Sequence, residues 1–207
     1  MKSLLIIGPD STLVDAHSLA LQVHPQRRVE KLAVPAVDYY GFDLAALEAY
    51  SSDEWNVCIA VNEFYINDVR RAFHEAVAAY GYRGESLVSP RAHVDASAAI
   101  GENTIIHAGS FVVAGCVVGH HCVLRPNVVL GEESVVGNFV TLEANVSIRE
   151  KCKIGDFVTV CANCSLVRMT NVGEHCYLNV PRQYSGAIPA ATFYSPMFEN
   201  PVRVLSG

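Results

Sequence analysis

Glu132, Glu150 and Arg168 lie eighteen residues apart, and Arg125, Glu143 and Cys161 repeat that interval seven residues upstream. Two carboxylates stacked one above the other each disfavour the other's ionisation, while an arginine beside one of them works in the opposite direction. On that footing Glu132 reads as a carboxylate able to accept a proton near neutral pH, the task of a general base. The plainer alternative is a ladder of solvated corner charges. Arg125 over Glu143 reads as an ion pair. The pair His120-His121 in GHHC has the residue types of a metal site, but zinc takes ligands converging from several directions, and one corner does not supply them; no metal is expected.

These positions fall on a six-residue period. From Val88 to Leu178 every sixth residue, sixteen in all, is Val, Ile or Leu, and the residue four places after each is small or β-branched in fifteen of the sixteen. Glycines at 101, 119, 131, 137, 155 and 173 directly follow the aliphatic residue. A fixed hexad of this kind is the signature of a parallel β-helix, each hexad a short strand and a corner. Three hexads per coil put residues eighteen apart in one column, and sixteen hexads make about five coils at roughly 4.8 Å spacing. Cys116, Cys122, Cys152, Cys164 and Cys176 take the small inward position, where a thiol acts as a compact hydrophobe. Cys161 falls on a corner instead. His121 stacks in register with Asn103, Phe139, Phe157 and His175.

Ahead of the repeat, residues 2–8 read as a buried parallel strand, Gly8-Pro9-Asp10-Ser11 as a turn with Asp10 or Ser11 as helix cap, and 12–23 as a helix. A second strand is expected over 29–34, a helical stretch over 43–50, a third strand over 56–61 and an amphipathic helix over 64–80. The unit is a small βαβ fold with one turn glycine, short of the full glycine fingerprint for dinucleotides.

The order of these parts resembles the hexapeptide-repeat sugar acyltransferases, the sialic-acid O-acetyltransferases and UDP-amino-sugar N-acetyltransferases. The junction LVSPRAHVDASAAIGENT (87–104) is similar to that family's entry into its coils, and IPA followed by NPVRV (188–190, 200–204) to its closing segment. The resemblance implies an α/β Rossmann-like domain over 1–84, a left-handed parallel β-helix over 85–186 and a C-terminal tail over 187–207 packing on it. It also implies a homotrimer, with acetyl-CoA or another acyl-CoA between neighbouring prisms and a nucleotide sugar held by the first domain. Arg168, Arg182 and Arg203 are the candidates for the CoA phosphates. Carried over position by position, Gly8 and Asp38 fall on the nucleotide side, with Asp10 and Ser11 in the turn of Gly8 as nucleotide candidates, and the family's histidine base and following acid fall on Glu132 and Glu133. Glu143 is expected to support them. Arg125 and Thr141 stand where Asn and His are usual.

The resemblance therefore implies acyl-CoA-dependent transfer, and the lost histidine favours an amine acceptor, which carries its own lone pair, over a sugar hydroxyl that needs a base. Two alternatives stay open: a non-catalytic trimeric relative used for binding or scaffolding, and an O-acetyltransferase with a replaced base. A net charge of -6 with no basic stripe argues against nucleic acid, and no apolar run approaches the roughly 18 residues of a membrane span. The Met1-Lys2-Ser3 start, running into LLIIG, reads as a cytoplasmic chain without a signal segment.

Overall fold

In the computed structural model, which describes residues 1–9, 11–38, 40–63 and 67–203, the repeat winds into a triangular prism of parallel strands. Leu87–Val88 opens the first face, His93–Val94 the second and Ala99–Ile100 the third. Each later strand pairs with the one eighteen residues before it, as Val123 does with Ile105 and Val129 with Phe111. The second and third faces are six strands deep, one coil more than the hexad count predicts. The second face gains Gln183–Tyr184 in the unbroken register, eighteen residues after Ser165-Leu166, and at Ser185-Gly186 a shortened turn then brings Ala187 beside Asn171 and Phe193 beside Tyr177, sixteen residues on. The period slips there, but the pairing carries on past residue 186. Val202–Arg203 then caps the first face as an antiparallel strand.

Inside the prism the aliphatic residues and their small partners are sealed from water beyond the first coil, where Val88, Ala92, Val94, Ala98 and Ile100 stay partly exposed, and all five inward thiols are buried as expected. Every regular corner holds one residue with positive φ, from Asn103 and His121 through to His175. This left-handed conformation disfavours a Cβ by roughly 1–2 kcal/mol, and each corner meets it differently. The first corner, between faces one and two, stacks Asn127, Asn145 and Asn163 in a carboxamide ladder with bonds of 3.2 Å. The second corner carries Glu133 and Lys151, which form an ion pair at 3.4 Å. The third stacks rings: His121 on Phe139 at 4.8 Å, Phe139 on Phe157 at 5.2 Å and Phe157 on His175 at 4.6 Å.

The first 84 residues form a three-stranded parallel sheet, with β1 (Ser3–Gly8) between β2 (Val29–Ala33) and β3 (Trp55–Ile59). The alternation of β1 feeds two cores. Leu5 and Ile7 meet Phe73 and Val77 of helix α2 (Asp68–Ala78), while Leu4 and Ile6 meet helix α1 (Thr12–Val23) together with Leu87 and Ile105 of the prism. The α/β unit thus covers the first face, whose outward Leu87, Ile105, Thr141 and Thr159 are buried. Helix α2 begins at Asp68, later than the predicted 64; Asn67 holds φ at 64°, which a right-handed helix cannot include, and residues 64–66 lie outside the described residues. The helical stretch predicted over 43–50 is a single tight turn at Ala45–Ala49.

A buried polar network fixes the docking. The Asn67 carboxamide accepts from Thr141 Oγ1 at 2.7 Å and donates to Thr159 Oγ1 at 3.1 Å. Arg70, itself buried, donates to Thr141 Oγ1 at 2.9 Å, to the Val61 carbonyl at 2.9 Å and to the His121 carbonyl at 3.0 Å. Asn103 closes the seam further along, its carboxamide bonded to both the N–H and the carbonyl of Ile59.

Candidate functional site

The first corner collects ionisable groups from three parts of the chain. Its column of His107, Arg125, Glu143 and Cys161 comes from successive coils, α1 adds Asp15, and the segment after β3 adds Glu63. Arg125 Nη1 lies 3.2 Å from Asp15 Oδ2, and His107 Nε2 lies 3.7 Å from the same oxygen. Arg125 therefore pairs with Asp15 and not with Glu143 as its column neighbour; α1 reaches the corner from outside the repeat. Burial holds the His107 pKa below its usual value, with Arg125 adding to the effect and Asp15 opposing it.

Glu143 is half-buried, and its pKa is raised, first by burial and then by the nearby Glu63 carboxylate, with Arg125 acting the other way. Glu63 is placed by backbone: its carbonyl accepts the Asn67 N–H at 3.2 Å, and Asn67 is anchored on Thr141 and Thr159, two residues before Glu143 and Cys161 respectively. Cys161 is half-buried, its thiol pushed up to about 11 by burial while a hydrogen bond with Tyr177 pulls it back. Burial likewise raises the Tyr177 phenol. The corner combines a carboxyl kept closer to neutrality than usual with a second carboxylate, a thiol and a phenol.

Glu132 and Glu133 occupy the second corner, opposite the face that carries the α/β unit. Both are exposed, and among the described residues the Glu132 carboxylate makes no hydrogen bond or ion pair. Its column partner Glu150 has a lowered pKa, the reverse of what stacked carboxylates predict. The hydrogen bond from its own backbone amide leads, and Arg149 and Arg168, each 3.5 Å away, add to it. The corner is rimmed by exposed Phe111, Val117, Val129 and Val135.

The expected nucleotide residues sit at the carboxyl ends of β1 and β2. Gly8 runs against β3's continuation, where an added Cβ would come within 2.0 Å of the Ala60 carbonyl oxygen, so close strand packing already demands glycine there. Ser11 precedes α1 without forming the predicted side-chain cap. Thr12 instead donates its hydroxyl to the Ala60 carbonyl at 2.9 Å. Asp10 lies outside the described residues. Asp38 is exposed, and its Oδ1 accepts the backbone N–H groups of Tyr40 and Gly41 at 2.9 and 2.6 Å, which closes a local turn. Arg168 stays at the second corner. Arg182 lies at the last coil of the first, over the rings of Tyr184 and Tyr194 at 4.8 and 4.7 Å. Arg203 donates to the Ala190 carbonyl at 3.1 Å at the end of the first face.

The sequence-predicted residues are thus divided within one chain: Gly8, Ser11 and Asp38 belong to the unit on the first face, Glu132 and Glu133 to the opposite corner. Asp15 and Glu63 lie outside the repeat and were missed; Tyr177 lies within it, eighteen residues after Thr159, and was missed because it takes an outward strand position and not a corner. His120 and His121 diverge as well. His120 Nδ1 accepts the Glu102 N–H at 3.0 Å, while His121 is buried in the ring stack. Among the described residues no group of three His, Cys, Asp or Glu side chains is placed to hold a metal ion.

Residues 97–132 match the model of the bacterial transferase hexapeptide (six repeats). No curated protein matches the chain in sequence. Among solved structures the chain is similar to the acetyltransferase domain of PglB from Neisseria gonorrhoeae in complex with acetyl coenzyme A, at 21% identity and TM-score 0.82, over 93% of this chain and 95% of that one. PerB from Caulobacter crescentus, solved with CoA and GDP-perosamine, is similar at 17% identity and TM-score 0.78, over 93% of both chains. WeeI from Acinetobacter baumannii is similar at 13% identity and TM-score 0.70, over 93% and 96%. The repeat matches that model over part of the chain, and over most of its length the chain shares the fold of these acetyltransferase structures.

Proposed function

We propose that the chain transfers an acetyl group from acetyl-CoA to the amine of a nucleotide-linked amino sugar. The fold likeness to an N-acetyltransferase solved with CoA and GDP-perosamine supports the substrate classes. The observation that carries the chemistry is Glu143, a half-buried carboxyl raised toward neutrality beside Glu63, where the α/β unit closes on the prism. The amine nitrogen attacks the thioester carbonyl carbon, the C–N bond forms, the C–S bond breaks, and the proton lost by the amine is passed to the departing thiolate. A carboxylate of raised pKa is suited to carry that proton. Backbone N–H groups at a corner supply the oxyanion donor.

On this reading residues 1–84 hold the nucleotide through Gly8, Asp10, Ser11 and Asp38, residues 85–186 form the left-handed prism, and 187–207 close it. Arg168, Arg182 and Arg203 meet the CoA phosphates. The bare apolar rim around Glu132 fits a homotrimer, in which the second corner of one copy faces the α/β unit of the next and Glu132 and Glu133 join Glu143 in one site. A cytoplasmic location goes with these substrates.

The exposure of Glu132, without a partner among the described residues, favours a second reading, a trimeric relative that binds without catalysing. The experiment that separates them incubates the chain with acetyl-CoA and a panel of nucleotide-linked 4-amino and 3-amino sugars, following free thiol and product mass. Thiol release with an amino sugar and none with its hydroxyl counterpart supports N-transfer. Release with the hydroxyl sugar selects the O-acetyl alternative, and acetyl-CoA binding without turnover on any acceptor selects the non-catalytic one.

A further inference from the structure

Arg125 and Glu143 occupy successive coils of one column. Val123 and Leu124 pair with Thr141 and Leu142, and the Arg125 N–H donates to the Leu142 carbonyl at 2.9 Å, so the two side chains leave the first corner one coil apart, roughly 4.8 Å. At that spacing a guanidinium reaches the carboxylate with ease. It does not take it. Arg125 Nη1 lies 3.2 Å from Asp15 Oδ2, and among the described residues Glu143 forms no ion pair. Asp15 is delivered by a fixed element: helix α1 buries Leu13, Ala16, Leu19 and Ala20 in the core that it shares with Leu87 and Ile105 of the first face. Asp15 stands next to the buried Ala16, and its Oδ2 also faces His107 Nε2 at 3.7 Å.

The charged and titratable groups that face Glu143 come from several elements. Glu63 approaches from the segment after β3, Arg125 and Cys161 from the coils on either side, and Tyr177 stands beyond Cys161, hydrogen-bonded to it. Arg125 is the cation of this set, and its side chain is four-fifths buried. His107 does not compete for Asp15 near neutrality, since burial holds its pKa below the usual value and keeps the ring uncharged. An opposite charge within about 4–6 Å lowers a carboxyl pKa by about 1–3 pH units. A carboxylate held that low is a poor proton acceptor at neutral pH. A direct pair between Arg125 and Glu143 would therefore remove the property that suits Glu143 to proton transfer, and Asp15 prevents it by offering the guanidinium another carboxylate.

We propose that Asp15 is a positioning residue of the transfer corner: it draws the Arg125 guanidinium away from Glu143 and so leaves the Glu143 carboxyl free to take up and release the amine's proton. Three carboxylates then have separate tasks. Asp15 holds the arginine, Glu63 repels charge on its neighbour, and Glu143 carries the proton. The role rests on the reading of Glu143 as the proton carrier, but the effect of Asp15 on its ionisation is measurable without turnover.

Carbon-13 NMR of the full chain, labelled at the glutamate carboxyl carbon, follows that ionisation, and Glu143→Gln identifies the signal. Asp15 is exposed, so Asp15→Asn should fold normally. It should move the Glu143 midpoint down by about one pH unit or more as Arg125 turns to the free carboxylate, and Asp15→Glu, which restores a carboxylate, should reverse much of that shift. The same Asp15→Asn change made on Arg125→Met, whose unbranched side chain keeps the packing of the arginine stem, should leave the midpoint where it was; Arg125→Gln supplies the same background if the methionine variant does not fold. With acetyl-CoA and an amino sugar, the acid limb of kcat/KM should move in step with the NMR midpoint. An unmoved midpoint in Asp15→Asn overturns the proposal. An equal shift with and without Arg125 overturns it as well, because Asp15 then acts through its own charge. The expected shifts in a chain that acetylates no amino sugar support the hold of Asp15 on Arg125 and sink the transfer reading instead.

Discussion

Arg70 of α2 and Thr141 of the prism share a hydrogen bond of 2.9 Å at a point where neither side chain reaches water. Thr141 at the same time donates to Asn67, so one hydroxyl ties the α/β unit to the prism from two directions. A histidine at this position would have to displace both partners. The residue that looks like a loss from a site is a gain in docking.

Thr141→Val, which keeps the shape and removes the hydroxyl, leaves Arg70 and Asn67 each short of a buried partner. We expect a loss of about 1–3 kcal/mol in urea unfolding. Because Trp55 is the single tryptophan and lies in β3, its fluorescence reports the α/β unit, and that transition should move to lower urea. An unchanged midpoint would mean the network contributes nothing to docking.

His121 makes the fold sensitive to acid. Its pKa is lowered to about 3 in the folded chain, mainly by burial, from an ordinary value of 6.5. A histidine depressed in this way gives stability that is complete above pH 6.5 and is lost as pH falls toward 3, because the unfolded chain takes up the proton first. At pH 4.5 the loss is about 3 kcal/mol, two pH units below the unfolded value. His121→Phe, stacked on Phe139, should flatten that part of the stability profile; equal slopes for mutant and native chain between pH 6.5 and 4.5 would rule the residue out.

Glu133 holds φ at 56°, a conformation that asparagine tolerates better than glutamate. Its ion pair with Lys151 is exposed on both sides and is worth little. Glu133→Asn should therefore stabilise the chain by about 0.5–1 kcal/mol in thermal unfolding, and should lower acetyl transfer if the carboxylate belongs to the transfer site.

Glu143 should set the acid limb of the transfer rate. With its pKa raised by burial and by Glu63, the rate should climb with pH through an apparent value above 4.5 as the carboxylate forms. Glu63→Gln removes a repelling charge and should move that limb to lower pH, while Glu143→Gln should abolish it. Glu132→Gln should leave the limb in place; if it is the variant that erases the limb, the proton is carried at the second corner instead.

The hexad determined a great deal by itself. Period six fixed which side chains point inward, which thiols are buried and which residues share a column, because parallel coils stack at a constant interval and the column partner of any residue lies eighteen positions away. His121 over Phe139 and Glu150 beside Arg168 were legible for that reason. The tertiary structure decided what approaches the columns from outside. Arg125 finds Asp15 across 110 residues, and Arg70 finds Thr141 across 71; these contacts depend on how the α/β unit settles on the first face, which no local period encodes. The same docking half-buries Glu143 near Glu63, while Glu132 stays exposed at the opposite corner. A carboxylate's pKa is set by the groups and the solvent around it in space, and for these two glutamates the deciding neighbours come from another part of the chain.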